Sequence, residues 1–260
     1  GETAAPKRAR SKEPEPSKAR NTAVTISPSL LASDWCQMKE EIQNCIDANV
    51  SRLHVDIFDG VFLNSPKALT FGPQMVHAIR RHFPRSSAVA LEVHMCVLTP
   101  ERYVDVMKDA GADTFIFQYE ALDDDAQRLD LVKTIKATGM KCGISLNPST
   151  PVEDTFTLLE AGGIDVVDLL AVEPGFGGQK FQESVLRKVK ALRNWRDERV
   201  LFFGDGGAAG LEIMVDGGIN AGTAESVVTA GADVLVAGSS LFGHPRGLHN
   251  GVKDILGVIN

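Results

Sequence analysis

Alternation of apolar and polar positions marks out eight short segments along the chain, each followed by a stretch with helical spacing. The most informative is Leu53-His54-Val55-Asp56-Ile57-Phe58-Asp59-Gly60. Read with a period of two, it puts Leu53, Val55 and Ile57 on one face and His54, Asp56 and Phe58 on the other. An apolar face backed by imidazole and carboxylate suits a strand of a small closed barrel, with helices over the apolar face and the polar groups inside. Gly60 ends the strand, so those groups stand at its C-terminal end. Taken alone, His54 and Asp56 read equally well as a hydrogen-bonded core pair.

The same reading predicts strands at 24–31, 89–95, 114–119, 141–146, 166–172, 211–215 and 234–237. Helices are expected at 35–48, from 72 to 83, and at 100–111, 125–138, 152–161, 181–198, 221–230 and 246–258. Strand–helix alternation with short connections argues for a parallel sheet with right-handed crossovers, and eight repeats close as a (β/α)₈ TIM barrel. An open doubly wound sheet is the alternative, but no Gly-x-Gly-x-x-Gly follows the first strand. Ala-Gly-Ala-Asp recurs at 110–113 and 230–233, a weak internal echo at two helix-to-strand corners.

Composition narrows the class. Residues 1–23 carry six Lys/Arg against three Glu, with Pro and Ser but almost nothing large and apolar. This segment is expected to be a disordered basic tail, in which Lys7-Arg8-Ala9-Arg10 reads more readily as solvated than as an address. The chain opens on Gly1 rather than Met, which leaves room for a leader upstream. Residues 24–260 form one catalytic barrel domain with 21 basic and 31 acidic residues, a net of −10. That excludes a basic nucleic-acid footprint, and no apolar run approaches the ~20 residues of a membrane span. Cys36, Cys45, Cys96 and Cys142 have neither metal nor redox spacing, as expected of thiols in a reducing compartment. A cytoplasmic location follows, with organelle import of a precursor left open.

In such barrels chemistry sits at the C-terminal ends of the strands. The third strand, Leu91-Glu92-Val93-His94-Met95-Cys96, turns Glu92, His94 and Cys96 inward, and the seventh ends in Asp216. His54, Asp56, His94 and Asp216 therefore converge on one mouth, a plausible set for Zn²⁺ or a similar divalent ion. His77, His82, His244 and His249 read as surface. A second cluster is glycine-rich: Glu173-Pro-Gly-Phe-Gly-Gly-Gln-Lys-Phe181, Asp216-Gly-Gly-Ile-Asn220 and Gly238-Ser239-Ser240 end three neighbouring strands. Such loops let backbone N–H groups crowd around a phosphate, although tight turns that need positive φ would use the same residues.

These motifs, with Ile26-Ser-Pro-Ser-Leu-Leu-Ala-Ser-Asp34, resemble the ribulose-phosphate 3-epimerase family in order from about residue 24 to 243. The resemblance implies a TIM barrel of the ribulose-phosphate-binding type that interconverts D-ribulose 5-phosphate and D-xylulose 5-phosphate. It implies His54, Asp56, His94 and Asp216 as ligands of one divalent metal ion (Zn favoured over Fe(II), Mn or Co), with Asp56 and Asp216 as the acid/base pair. It implies Ser29, His94, Gly175, Phe176, Gly177, Gly178, Gly217, Gly218, Gly238 and Ser239 as contacts of a small phosphorylated ketose, and self-association into a homo-oligomer is expected. Phe58, Cys96 and Leu170 stand where the family usually has methionines, and Gln118 where it has a histidine. The loop at 60–72 is longer than usual, and 204–210 looks like an insertion at the far end of the barrel. Two alternatives are an epimerase of a six-carbon ketose phosphate such as allulose 6-phosphate, or a silent sugar-phosphate binder. Related decarboxylases and aldolases would favour Asp-x-Lys-x-x-Asp at a strand end; strand two has Asp56 and Asp59 with no lysine between.

Overall fold

The computed structural model describes residues 23–203 and 208–259. The basic tail up to residue 22 and most of the 204–210 insertion lie outside the described residues. Eight strands run parallel: β1 Thr25–Pro28, β2 Arg52–Phe58, β3 Ala90–Cys96, β4 Thr114–Gln118, β5 Lys141–Leu146, β6 Val166–Leu170, β7 Glu212–Asp216 and β8 Val234–Ala237. They are bonded in the order β1-β8-β7-β6-β5-β4-β3-β2, and a parallel bridge between Ser29 and His54 brings β1 against β2. The barrel closes there, as the alternation predicted.

Helices fill the crossovers: α1 Met38–Asp47, α2 Pro73–His82, α3 Val104–Ala110, α4 Asp125–Ala137, α5 Phe156–Glu160, α6 Val185–Phe203, α7 Ala224–Ala230, then α8 Ser239–Phe242 and α9 Leu248–Gly257 after β8. Local chemistry sets several starts. Asp34 accepts from the Cys36 amide at 3.0 Å, and Asp124 caps α4 by accepting from Gln127 N at 2.9 Å. Pro100–Tyr103 opens as a 3₁₀ turn before α3, so the expected single helix is split. α6 continues past Glu198 to Phe203, where Leu201 and Phe202 are 76% and 75% exposed. A pattern of buried apolar positions could not have found that last turn.

The two faces of the strands serve different layers. Leu53, Val55, Ile57, Val93, Phe115, Val167 and Val215 join the main core under the helices. Ile116, Val166, Met214, Val234 and Val236 fill the barrel interior. Below them Arg52 bridges Glu92 at 2.7 Å and Glu212 at 2.8 Å, and Ser27 donates to Glu92 at 2.8 Å, so a paired charge cluster plugs the N-terminal end.

The Ala-Gly-Ala-Asp echo has a mechanical origin. Asp113 accepts from the Leu91 amide and pairs with Arg80; Asp233 accepts from the Ile213 amide at 2.9 Å and pairs with Arg196. The preceding glycines let an arginine stem cross: a Cβ on Gly111 (φ +101°) would meet Arg80 Cγ at 2.6 Å. Asp165 repeats the device, accepting from the Cys142 amide at 2.7 Å and pairing with Lys136 at 2.7 Å. Asp233→Ala strands the buried Arg196 guanidinium, and should cost about 3 kcal/mol in urea unfolding. Asp130→Ala, which removes an exposed pair with Lys133, should leave the midpoint in place.

Candidate active site

Register brings the polar residues together. Asp56 on β2 is level with His94 on β3, and Leu170 on β6 with Asp216 on β7. His54 Nε2 lies 3.3 Å from His94 Nδ1, and Asp56 Oδ1 lies 3.4 Å from the first and 3.2 Å from the second. Asp216 Oδ2 approaches the two rings to 3.7 and 4.0 Å. All four residues expected from the sequence thus share one point. Ser29 Oγ donates to Asp56 Oδ2 at 2.7 Å and fixes that carboxylate.

Gln118, unexplained from the sequence, has a role here. Its amide is satisfied when the oxygen accepts from His94 Nε2 at 3.0 Å and the nitrogen donates to Glu120 Oε2 at 2.9 Å and Ser145 O at 3.2 Å. That puts the His94 proton on Nε2 and turns the Nδ1 lone pair toward the centre, a common outer-shell device at metal-binding histidines. Cys96 Sγ lies 3.3 Å from the same Nε2, on the side of the ring away from the cluster.

The electrostatics pull the two bases apart. Burial opposes ionisation of Asp56, but the adjacent His54 and His94 more than offset it and hold the carboxyl well below its usual range. Asp216 is pushed up to about 7, mainly by burial, with the Asp168 and Asp56 charges adding to it against the pull of His54. Burial disfavours a charged His54, yet Asp56 and Asp216 lift it to about 9. Near neutral pH one carboxyl is ionised and the other is poised to hold a proton, the asymmetry that separates a base from an acid.

The sequence reading passed over Asp168. It is fully buried on β6, and one donor atom each from His54, His94, Asp168 and Asp216 lies within 4.8 Å of all the others. Strand phase would have found it, since Asp168 and Leu170 point the same way and Leu170 had been placed at the mouth. Two imidazoles and several carboxylates around one point are a donor set for a divalent ion. Two facing ring nitrogens at 3.3 Å also need a proton or a cation between them. The residues fit the metal that the resemblance implies.

Beside the cluster opens a cavity of about 540 Å³. Ser29, Asp56, His94 and Asp216 form one side; Gly175, Phe176, Gly177, Gly178, Gly217, Gly218, Gly238 and Ser239 form the other, with Lys180 among them. Every residue expected to touch substrate lines it. Gly217 and Gly218 adopt φ +100° and +69°, and a Cβ on Gly218 would lie 2.8 Å from the Phe181 Cα, so only glycine allows this approach of the loops after β6 and β7. Phe58, Ala68 and Cys96 form an apolar patch at the mouth, packed by Leu31, Phe62 and Leu63. The long loop therefore supplies lid residues. Asp59 anchors it by accepting from Val61 N, Phe62 N and Leu98 N at 2.8–2.9 Å. Of the other histidines, His77, His82 and His249 are exposed, while His244 is half-buried beside Asp254 at 3.3 Å.

Residues 25–242 match the sequence profile of the ribulose-phosphate 3 epimerase family. The chain belongs to the ribulose-phosphate 3-epimerase family. Membership makes it an enzyme of the epimerase class. It is 38% identical over 226 residues to the cytoplasmic isoform of ribulose-phosphate 3-epimerase from Oryza sativa subsp. japonica, covering 86% of this chain and 90% of that one. Identity to the ribulose-phosphate 3-epimerase of Bacillus subtilis is 36%, covering 85% and 93%. Among solved structures, 3-hexulose-6-phosphate synthase from Salmonella typhimurium superposes with a TM-score of 0.62 at 15% identity, over 90% of this chain and 98% of that one. Orotidine 5'-phosphate decarboxylase from Pyrococcus horikoshii superposes with a TM-score of 0.60 at 17% identity, over 90% and 99%. At that identity the two share the fold alone, and strand β2 of this epimerase-family chain has no lysine between Asp56 and Asp59. Among the described residues, no helix is long and apolar enough to cross a membrane.

Proposed function

We propose that the chain epimerises C3 of D-ribulose 5-phosphate to give D-xylulose 5-phosphate, using Asp56 and Asp216 as the two acid/bases. The observation that carries this reading is the pairing of those carboxyls, on β2 and β7, at the edge of a cavity whose far side is a glycine-rich anion cradle. The phosphate end of the ketose sits against Gly175–Gly178, Gly217–Gly218 and Gly238–Ser239, with Lys180 adding positive charge. This orients C2 and C3 toward the His/Asp cluster.

Asp56, ionised and held by Ser29, removes the C3 proton from one face. Asp216, bearing a proton, returns one to C3 from the opposite face, which inverts the centre. In the reverse direction the two exchange roles. His54, Asp56, His94 and Asp216 would hold a divalent cation, whose chemistry when bound is Lewis-acid stabilisation of the negative charge that develops on the C2 oxygen. The apolar lid of Phe58, Cys96 and Leu170 excludes water from the reacting carbon, a task that does not demand methionine sulfur. The cytoplasm, where the rice relative's name places that protein, is the location that fits this reading.

Proton NMR of the purified chain with D-ribulose 5-phosphate in D₂O tests the proposal. The expected result is D-xylulose 5-phosphate carrying solvent deuterium at C3. No exchange at C3, with a divalent ion verified in the protein, would overturn it and favour a six-carbon ketose phosphate or a silent binder.

A further inference from the structure

We propose that Asp168 is a further metal ligand, a third carboxylate that the interior of this barrel adds to the set on the rim. The inference rests on the metal-dependent reading above and extends it.

Three observations converge on Asp168. Its side chain is fully buried, and Ser145 Oγ donates to Oδ2 at 2.8 Å. The other oxygen, Oδ1, is buried with no hydrogen-bond partner among the described residues. Its donor atom lies within 4.8 Å of those of His54, His94 and Asp216. Among the described residues no lysine or arginine forms an ion pair with it. The buried Lys188, which feels the Asp168 charge, donates instead to the carbonyls of Asn147, at 2.7 Å, and Pro148, at 3.5 Å.

A buried carboxylate held by one hydroxyl is costly unless it is paired or coordinates a metal. A proton on Oδ2 could be shared with Ser145 Oγ but would still leave Oδ1 unpartnered. A cation at the centre of the cluster would complete it. Gln118, Ser145 and Asp168 are level on β4, β5 and β6, so they form one polar row against the histidines. Gln118 fixes the His94 proton and Ser145 fixes one Asp168 oxygen, which together present a lone pair from each neighbour to the same point.

The consequence is a change in the kind of ion. Two imidazoles and two carboxylates suit four-coordinate Zn²⁺; with Asp56, 3.4 and 3.2 Å from the two ring nitrogens, joining the grouped His54, His94, Asp168 and Asp216, two imidazoles and three carboxylates would make an oxygen-rich set suited to five- or six-coordinate ions such as Mn²⁺. The third carboxylate thus shifts the expectation from zinc toward manganese.

The test uses the full chain stripped of metal, titrated with Mn²⁺ by calorimetry and with Co²⁺ by visible absorption. Wild type should bind Mn²⁺ and give the weak cobalt bands of five- or six-coordination. Asp168→Asn keeps the shape and an oxygen for Ser145, and should bind Mn²⁺ at least about tenfold more weakly. Its cobalt bands should intensify as coordination drops toward four. Unchanged Mn²⁺ affinity and cobalt spectrum in Asp168→Asn, with wild type binding metal and epimerising, would overturn this inference and leave the parent reading standing. A wild type that binds no ion overturns both. If Asp168→Asn does not fold, anomalous scattering from Mn²⁺-loaded wild-type crystals decides: an Asp168 oxygen within about 2.4 Å of the ion supports ligation, and one outside the coordination shell refutes it.

Discussion

Replacing Asp216 by Asn is expected to lower kcat for epimerisation by about 10³-fold, within the range a positioned acid/base supplies. The amide preserves shape and one oxygen but removes the charge of a ligand, so metal should bind more weakly and the rate is compared with the ion verified in the site. The pattern of isotope exchange says more than the rate. With one base left, a single epimer should still exchange its C3 hydrogen with D₂O, because only the face toward Asp56 can be deprotonated. The other epimer should be inert. Asp56→Asn should reverse which epimer exchanges. If Asp216→Asn interconverts the two sugars at the wild-type rate, the two-base assignment is wrong. If neither epimer exchanges in either variant although metal is bound, the carboxyls serve the cation rather than the proton.

The exchange pattern depends on Asp56 and Asp216 facing a common space, and that was the part of the site most legible in the sequence. Polar groups in the inward phase of otherwise apolar strands are conspicuous, and a polar group inside a motif that carries the family resemblance is marked a second time. His54, Asp56, His94 and Asp216 met both conditions and came together within hydrogen-bonding or near-bonding distance. Asp168 met only the first. It lies inside Val166-Val-Asp-Leu-Leu-Ala171, two residues below the end, where a run of apolar neighbours hides the alternation. The effect of Gln118 was illegible for a different reason: the atom it positions belongs to His94, two strand pairings could have supplied its partner, and only β3–β4 register brings the two rows together. Helix ends were the weakest part. The last turn of α6 carries exposed Leu201 and Phe202, so burial does not hold it and periodicity does not mark it. The fold itself survived these gaps because closure depends on eight apolar outward faces, each legible alone.

Removing the divalent ion should abolish epimerisation, and its return should depend on pH with a definite sign. In the metal-free protein His54 titrates at about 9, because Asp56 and Asp216 outweigh the burial that opposes its charge. Its ring is therefore protonated through neutral pH, whereas a metal ligand must be neutral. Below about 9 each displaced proton costs about tenfold in apparent affinity per pH unit. Stability without metal runs the opposite way. The raised His54 contributes fully below the ordinary histidine range, and the contribution is lost as pH rises through about 9, since the folded state binds the extra proton. Thermal unfolding in chelator should therefore show the midpoint falling between pH 6.5 and 9, while the increment from added Mn²⁺ or Zn²⁺ grows over the same interval. A metal increment that is flat with pH would mean that the histidines are already neutral in the free protein. The paired charges of His54, Asp56 and Asp216 would then not be what holds the empty cluster together.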